Sequence, residues 1–73
     1  MKQERKAPQS PDDLLVEAQA AEILLMSVRT LQSWRCKEHG PPFLKIGRNI
    51  RYRYGDILEW LRMKTVRPEG PRS

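Results

Sequence analysis

The sequence predicts a small α+β domain, mainly helical: a helix-turn-helix, a two-stranded β-hairpin and a C-terminal helix. Three observations lead there. Ala20–Lys37, AAEILLMSVRTLQSWRCK, holds two short apolar helical stripes separated by the break Leu25-Met26-Ser27. Phe43–Arg53, FLKIGRNIRYR, changes to an alternation of period two around Gly47-Arg48-Asn49. Ile57, Trp60 and Leu61 then restore an i, i+3, i+4 helical stripe. Seventy-three residues make at most one domain, divided as an arm over 1–13, a folded unit over 14–64 and a tail over 65–73.

Taken in order, residues 1–13 carry charges of both signs, two prolines and no large apolar residue after Met1. They read as a disordered arm, in which Lys2, Arg5 and Lys6 are available to track phosphates. The first helix is expected over Leu14–Leu25, beginning near Val16 or Glu17. Asp12 and Asp13, just upstream, suit its positive N-terminal end. Glu17 and Glu22 are expected to face outward. The small Ala20 and Ala21 allow a second helix to approach closely. That helix is Ser27–Lys37, with Ser27 as N-cap because its hydroxyl accepts from a free N–H of the first turn. Two helices so closely joined cross, and the second projects one face outward.

With Leu31 at the centre of the buried side, a rotation of about 100° per residue sets Val28 and Trp34 beside it. The opposite arc carries Arg29, Gln32, Ser33 and Cys36, flanked by Thr30 and Lys37. These side-chain types suit DNA. Arginine donates twice to guanine, glutamine pairs twice with adenine, and short hydroxyls reach phosphate. Gly40, with Pro41 and Pro42, ends the helix through a left-handed residue, and His39 belongs to this cap.

In Phe43–Arg53, Leu44, Ile46, Ile50 and Tyr52 are expected to form one inner apolar face. Lys45, Arg48, Arg51 and Arg53 then occupy the outer face and tip, and the stretch has no acidic residue. An isolated two-stranded ribbon is unstable, so the hairpin must lie on the helices with its basic tip beside the second one. Such a one-signed tip suits phosphate or minor-groove contact. The third helix is Tyr54–Lys64, with Asp56 in its first turn and Arg62 and Lys64 in its last, each favoured by the helix dipole. Trp34 and Trp60 read as core aromatics.

Composition narrows the function. The net charge of +5 favours a polyanionic partner. One cysteine and one histidine leave no internal disulfide and no Cys/His metal set. No cofactor is expected, and an enzyme is a poor reading of so small a chain. Neither a membrane span nor a signal peptide is apparent, so a cytoplasmic setting is expected.

The segment Leu15–Leu61 resembles the excisionase/AlpA class of MerR-type winged helix-turn-helix domains. The resemblance rests on AAEIL (Ala20–Leu24), S-x-R-T-L-x-x-W-R (Ser27–Arg35), GPPFLKIGRNIRYR (Gly40–Arg53) and D-I-L-E-W-L (Asp56–Leu61). It implies a second helix in the major groove, with Ser27, Arg29, Thr30 and Ser33 in contact. It also implies a wing tip, Gly47-Arg48-Asn49, on the adjacent backbone or minor groove, with Arg48 and Arg51 as its contacts. The full set of expected DNA-binding residues is Ser27, Arg29, Thr30, Gln32, Ser33, Lys37, Lys45, Arg48, Asn49, Arg51 and Arg53. Two positions depart from the family. Leu25 stands where glycine is common, which implies a different turn backbone or an extra core contact. Val16 stands where a Ser or Thr cap is common.

The leading expectation that the resemblance implies is an excisionase, a recombination directionality factor of a mobile element. Such a protein is expected to bind double-stranded DNA near an attachment site, bend it and steer an integrase towards excision. A single small unit offers little contact area, so cooperative self-association on DNA is expected. The alternative is an AlpA-like transcription regulator with the same binding mode. A third reading, from another class, is a protein-interaction module such as an anti-repressor.

Overall fold

The computed structural model describes residues 7–68. The elements run β1 (Leu14–Leu15), α1 (Glu17–Leu24), α2 (Val28–Cys36), β2 (Leu44–Ile46), β3 (Asn49–Arg53) and α3 (Tyr54–Lys64). The strands form an antiparallel sheet in the order β1-β3-β2. The mainly helical α+β winged helix-turn-helix is therefore the fold, with β1 as a third strand beside the expected two-stranded hairpin.

Leu14 and Leu15 were expected in the first helix but pair instead with Arg53 and Tyr52. The reason lies upstream. The Asp13 carbonyl accepts from Tyr54 N at 2.9 Å, and the Pro11 carbonyl accepts from Gly55 N at 2.8 Å. These are N–H groups of the first turn of α3, which has no side-chain cap and would otherwise leave them unsatisfied. The chain before α1 is held extended along β3 by these bonds. Ser10–Asp13 closes as a turn, Asp13 N donating to Ser10 O at 2.9 Å. So the inner part of the expected arm is tied to the domain, while residues 1–6 lie outside the described residues. The Asp13 carboxylate also departs from expectation. It accepts from Gln9 N and Ser10 N, at 2.9 and 3.2 Å, rather than serving α1.

Helix α1 starts at Glu17 with Val16 in the cap position. Valine offers no acceptor, and half of a capping box remains: Gln19 Oε1 accepts from Val16 N at 3.2 Å. The helix ends at Leu25, whose φ of 56° and ψ of 45° are left-handed. Leu25 N donates to Glu22 O and Met26 N to Ala21 O, at 3.1 and 3.0 Å, the Schellman pattern. The turn thus has the backbone that glycine would give it, and the leucine side chain is 90% exposed. Neither a different turn nor a core contact results. Helix α2 closes in the same way. Glu38, at φ 61°, is its left-handed residue, with His39 N to Trp34 O at 2.7 Å and Glu38 N to Arg35 O at 3.2 Å. The left-handed role expected of Gly40 therefore belongs to Glu38. Gly40 is required for the next step, at φ 84°, where a Cβ would stand 2.9 Å from Trp34 Cε3.

The hairpin register corrects a further expectation. Leu44 faces Arg51, Lys45 faces Ile50 and Ile46 faces Asn49. The loop is therefore the two residues Gly47 and Arg48, and Asn49 is the first residue of β3. Gly47 has φ 64°, a glycine at the first loop position being the requirement of a type II′ turn. Directly opposed residues share a face. Ile50 and Tyr52 therefore point to the core with Leu15. Leu44 and Ile46 lie on the other face with Asn49, Arg51, Arg53 and Leu14. A three-residue loop would have put all four apolar residues together, and losing one residue from it reverses one strand's faces. Accordingly Ile46 is 49% exposed and Leu14 47%.

The core comprises Leu15, Ala20, Ala21, Leu31, Tyr52 and Ile57, with Ile23, Leu24, Trp34, Ile50 and Tyr54 packed around it. Every element from β1 to α3 except the edge strand β2 contributes a fully buried residue. Trp34 and Trp60 meet at a centroid distance of 5.7 Å, joining α2 to α3 as half-buried rather than fully enclosed aromatics. Of the expected α3 stripe, Ile57 is fully buried, whereas Leu61 lies at the margin and Leu58 is exposed.

Candidate nucleic-acid interface

Between Glu22 and Asp56 the only acidic residue is Glu38, against seven lysines and arginines. That span contains α2, β2 and β3, so the net positive charge concentrates on the second helix and the wing. Arg29, Gln32, Ser33, Cys36 and Lys37 are all exposed. They form a polar arc opposite the buried Leu31, as the helical period requires. No acidic residue lies in the first turn of α2, where its positive N-terminal end would attract a phosphate.

Ser27 caps α2. Its Oγ accepts from Thr30 N at 3.0 Å and donates to Thr30 Oγ1 at 2.9 Å. Both expected hydroxyl contacts are thus engaged with one another at the helix start, Ser27 exposed and Thr30 half-buried. They fix where α2 begins and hence which residues Arg29 and Ser33 stand beside.

The wing residues divide. Lys45, Arg48 and Asn49 are exposed, and Arg48 occupies the loop itself. Arg51 Nη1 donates to its neighbour's carbonyl, Ile50 O, at 2.8 Å. Arg53 pairs with Asp56 at 3.6 Å across the start of α3. The register separates them further, Lys45 lying on the Ile50 and Tyr52 face and Arg51 and Arg53 on the opposite one. The single basic outer face expected of the hairpin is therefore two faces joined at the Arg48 tip.

The polar cluster that joins α1 to α2 involves a residue expected to face solvent. Glu17, the first residue of α1, turns towards α2. Its Oε2 accepts from Arg35 Nε at 2.8 Å and its Oε1 from Gln32 Nε2 at 3.3 Å. The carboxylate side chain is only 16% exposed and the Arg35 side chain 24%. Arg35 also lies 5.9 Å from the Phe43 ring centroid, and Phe43 meets Tyr52 at 6.1 Å. The bond to Glu17 outweighs desolvation and raises the Arg35 pKa above its ordinary value. Burial, reinforced by the Glu17 charge, raises the Tyr52 phenol in spite of Arg35 nearby. The sequence carries a signal for this cluster. Arg35 falls one turn from Leu31 on the buried side, and a cation placed there calls for an anion.

Cys36 is exposed on the arc, and His39 is exposed at the helix end. Among the described residues no group of His, Cys, Asp and Glu side chains is disposed to hold a metal ion, and no helix is long and apolar enough to cross a membrane.

The family model for the helix-turn-helix domain matches residues 17–65, more than half of the chain. The match begins at the first residue of α1 and runs one residue past α3. None of the curated proteins matches the chain.

Proposed function

The chain belongs to the helix-turn-helix domain family, and from that membership we propose that it is a sequence-specific DNA-binding excisionase. In this reading α2 lies in the major groove, and the Arg48 tip holds the adjacent backbone or minor groove. The observation that carries it is the exposed, acid-free arc of α2 together with an exposed arginine, Arg48, in the two-residue loop of the hairpin. Arg29, Gln32, Ser33 and Lys37 meet base edges and nearby phosphates. Arg48 at the tip, Lys45 on one face of the hairpin and Asn49, Arg51 and Arg53 on the other supply further backbone contacts. The small contact area of one unit calls for cooperative binding of several copies side by side. In the cell such a protein acts in the cytoplasm, on nucleoid DNA, with an integrase as its working partner.

Two measurements test this in sequence. A mobility shift on duplex DNA across a salt series should show binding that weakens steeply as salt rises, because phosphate contacts release counterions. No shift at low salt would instead favour a protein-interaction module. An excision assay with an integrase encoded beside the gene should then show stimulation by this protein. Binding without stimulation assigns it to the AlpA-like transcription regulators, which share the binding mode.

A further inference from the structure

We propose that Glu17 is a positioning residue that sets the direction of the Gln32 amide and thereby the base that Gln32 reads. The proposal rests on the DNA-binding reading above and deepens it. Gln32 is exposed on the α2 arc, and its Nε2 donates to Glu17 Oε1. The direction of that amide follows from chemistry. An ionised carboxylate has no donor, so it can meet only the NH2 end of a glutamine. The other Glu17 oxygen is held by Arg35 Nε at 2.8 Å, and Arg35 itself lies over the Phe43 ring, 5.9 Å from its centroid. The carboxylate is thus fixed in place before it orients Gln32.

The consequence is a defined hydrogen-bond pattern on the outer side of Gln32. One N–H is committed to Glu17. The second N–H and the carbonyl oxygen remain, a donor beside an acceptor. Adenine offers the complementary pair in the major groove, the N7 acceptor and the N6 amino donor. Guanine offers two acceptors, O6 and N7, and meets the Gln32 carbonyl oxygen with no donor. The fixed amide therefore favours adenine and disfavours guanine at one base pair, with little rotamer freedom lost on binding.

A nearly isosteric substitution reverses this logic. In Glu17→Gln the side-chain oxygen must stay with Arg35, which only donates. The new NH2 then faces Gln32, whose carbonyl turns inward to accept from it. Gln32 presents its NH2 to the groove and now matches guanine.

The test is selection of bound sites from a pool of randomised duplex DNA at low salt. The wild type, Glu17→Gln and Gln32→Met are compared, with thermal melts for each. The wild type should select adenine at one position, by about tenfold over guanine. Glu17→Gln should move that one position to guanine and leave the others, a change that a purely structural role of Glu17 would not produce. Gln32→Met should lose discrimination there. A folded Glu17→Gln protein that keeps the adenine preference, or a wild type that selects no adenine, overturns the proposal. Should Glu17→Gln fail to fold, Glu17→Asp decides, its carboxylate withdrawn from Gln32 by one methylene: a weakened adenine preference at that one position supports the proposal and an unchanged preference overturns it. Absence of any duplex binding by the wild type defeats the DNA-binding reading itself, a separate result from an unchanged base preference.

Discussion

Leu25 shows how little a single residue type constrains a turn when the surroundings demand one conformation. An L-residue in the left-handed region costs roughly 1–2 kcal/mol, yet Leu25 adopts it at φ 56°. Its side chain returns almost no burial, being 90% exposed. Replacing it by glycine relieves the strain and removes no core contact, while the freer unfolded chain takes back part of the gain. Leu25→Gly should therefore raise stability by about 0.5–1 kcal/mol, measured by urea unfolding. A loss of stability would show that the leucine contributes packing. Arg29 is the residue-scale counterpart on the functional side. It is exposed at the centre of the α2 arc. Arg29→Ala should cost about 1–3 kcal/mol of binding and relax preference at one base pair. Equal losses on specific and random duplexes would assign Arg29 to phosphate alone.

At the scale of elements, the hairpin is where the sequence pattern misled. Alternation in both strands was plain, but it did not reveal how many residues the loop contains. Two rather than three residues in the loop put Leu44 and Ile46 on the outer face and leave Ile50 and Tyr52 on the core. The tip that results carries Arg48 beside Gly47 alone, outside any ion pair among the described residues. Its contribution should be electrostatic and indifferent to sequence. Arg48→Ala should weaken binding on every duplex by a similar factor. It should also flatten the slope of log K against log salt by about one unit. An unchanged slope removes the wing tip from phosphate contact. Helix α2, in contrast, was legible up to its C-terminal end, where Glu38 and not Gly40 is the left-handed residue that closes it. Its Ser27 cap and its Leu31-centred face are both local properties, and local properties are written in spacing.

Over the whole molecule the fold is closed by groups far apart in sequence. The segment before α1 satisfies the first N–H groups of α3 through the Asp13 and Pro11 carbonyls. Gly55 permits this close approach, since a Cβ there would stand 2.9 Å from Pro11 Cβ and 3.0 Å from Pro11 O. Gly55→Ala should push the segment off α3 and cost about 1–3 kcal/mol, read as a lower melting temperature. An unchanged melting temperature would mean that this closure contributes nothing to stability. Tyr52 joins the sheet to the helices at the centre of the core. Its folded pKa is raised by burial and by Glu17. Above the ordinary tyrosine range, near 10, the unfolded chain releases that proton more readily than the folded one. Stability from this source is complete below that range and is lost as pH rises through the folded value. Urea unfolding at rising alkaline pH should show this decline, and Tyr52→Phe should reduce its slope. An identical slope in Tyr52→Phe would assign the decline to other groups.

The sequence alone determined the order and kind of the helices, the basic hairpin and the residues that α2 exposes. Each follows from periodicity, capping chemistry or charge within a few neighbours. The tertiary structure decided what depends on partners distant along the chain. It turned Leu14 and Leu15 into a strand, because β3 and the start of α3 needed hydrogen-bond partners. It turned Glu17 inward, because Arg35 on the buried side of α2 needed an anion. Hydrogen bonds and ion pairs of this kind require two groups to meet, and a pattern along one segment specifies only one of them.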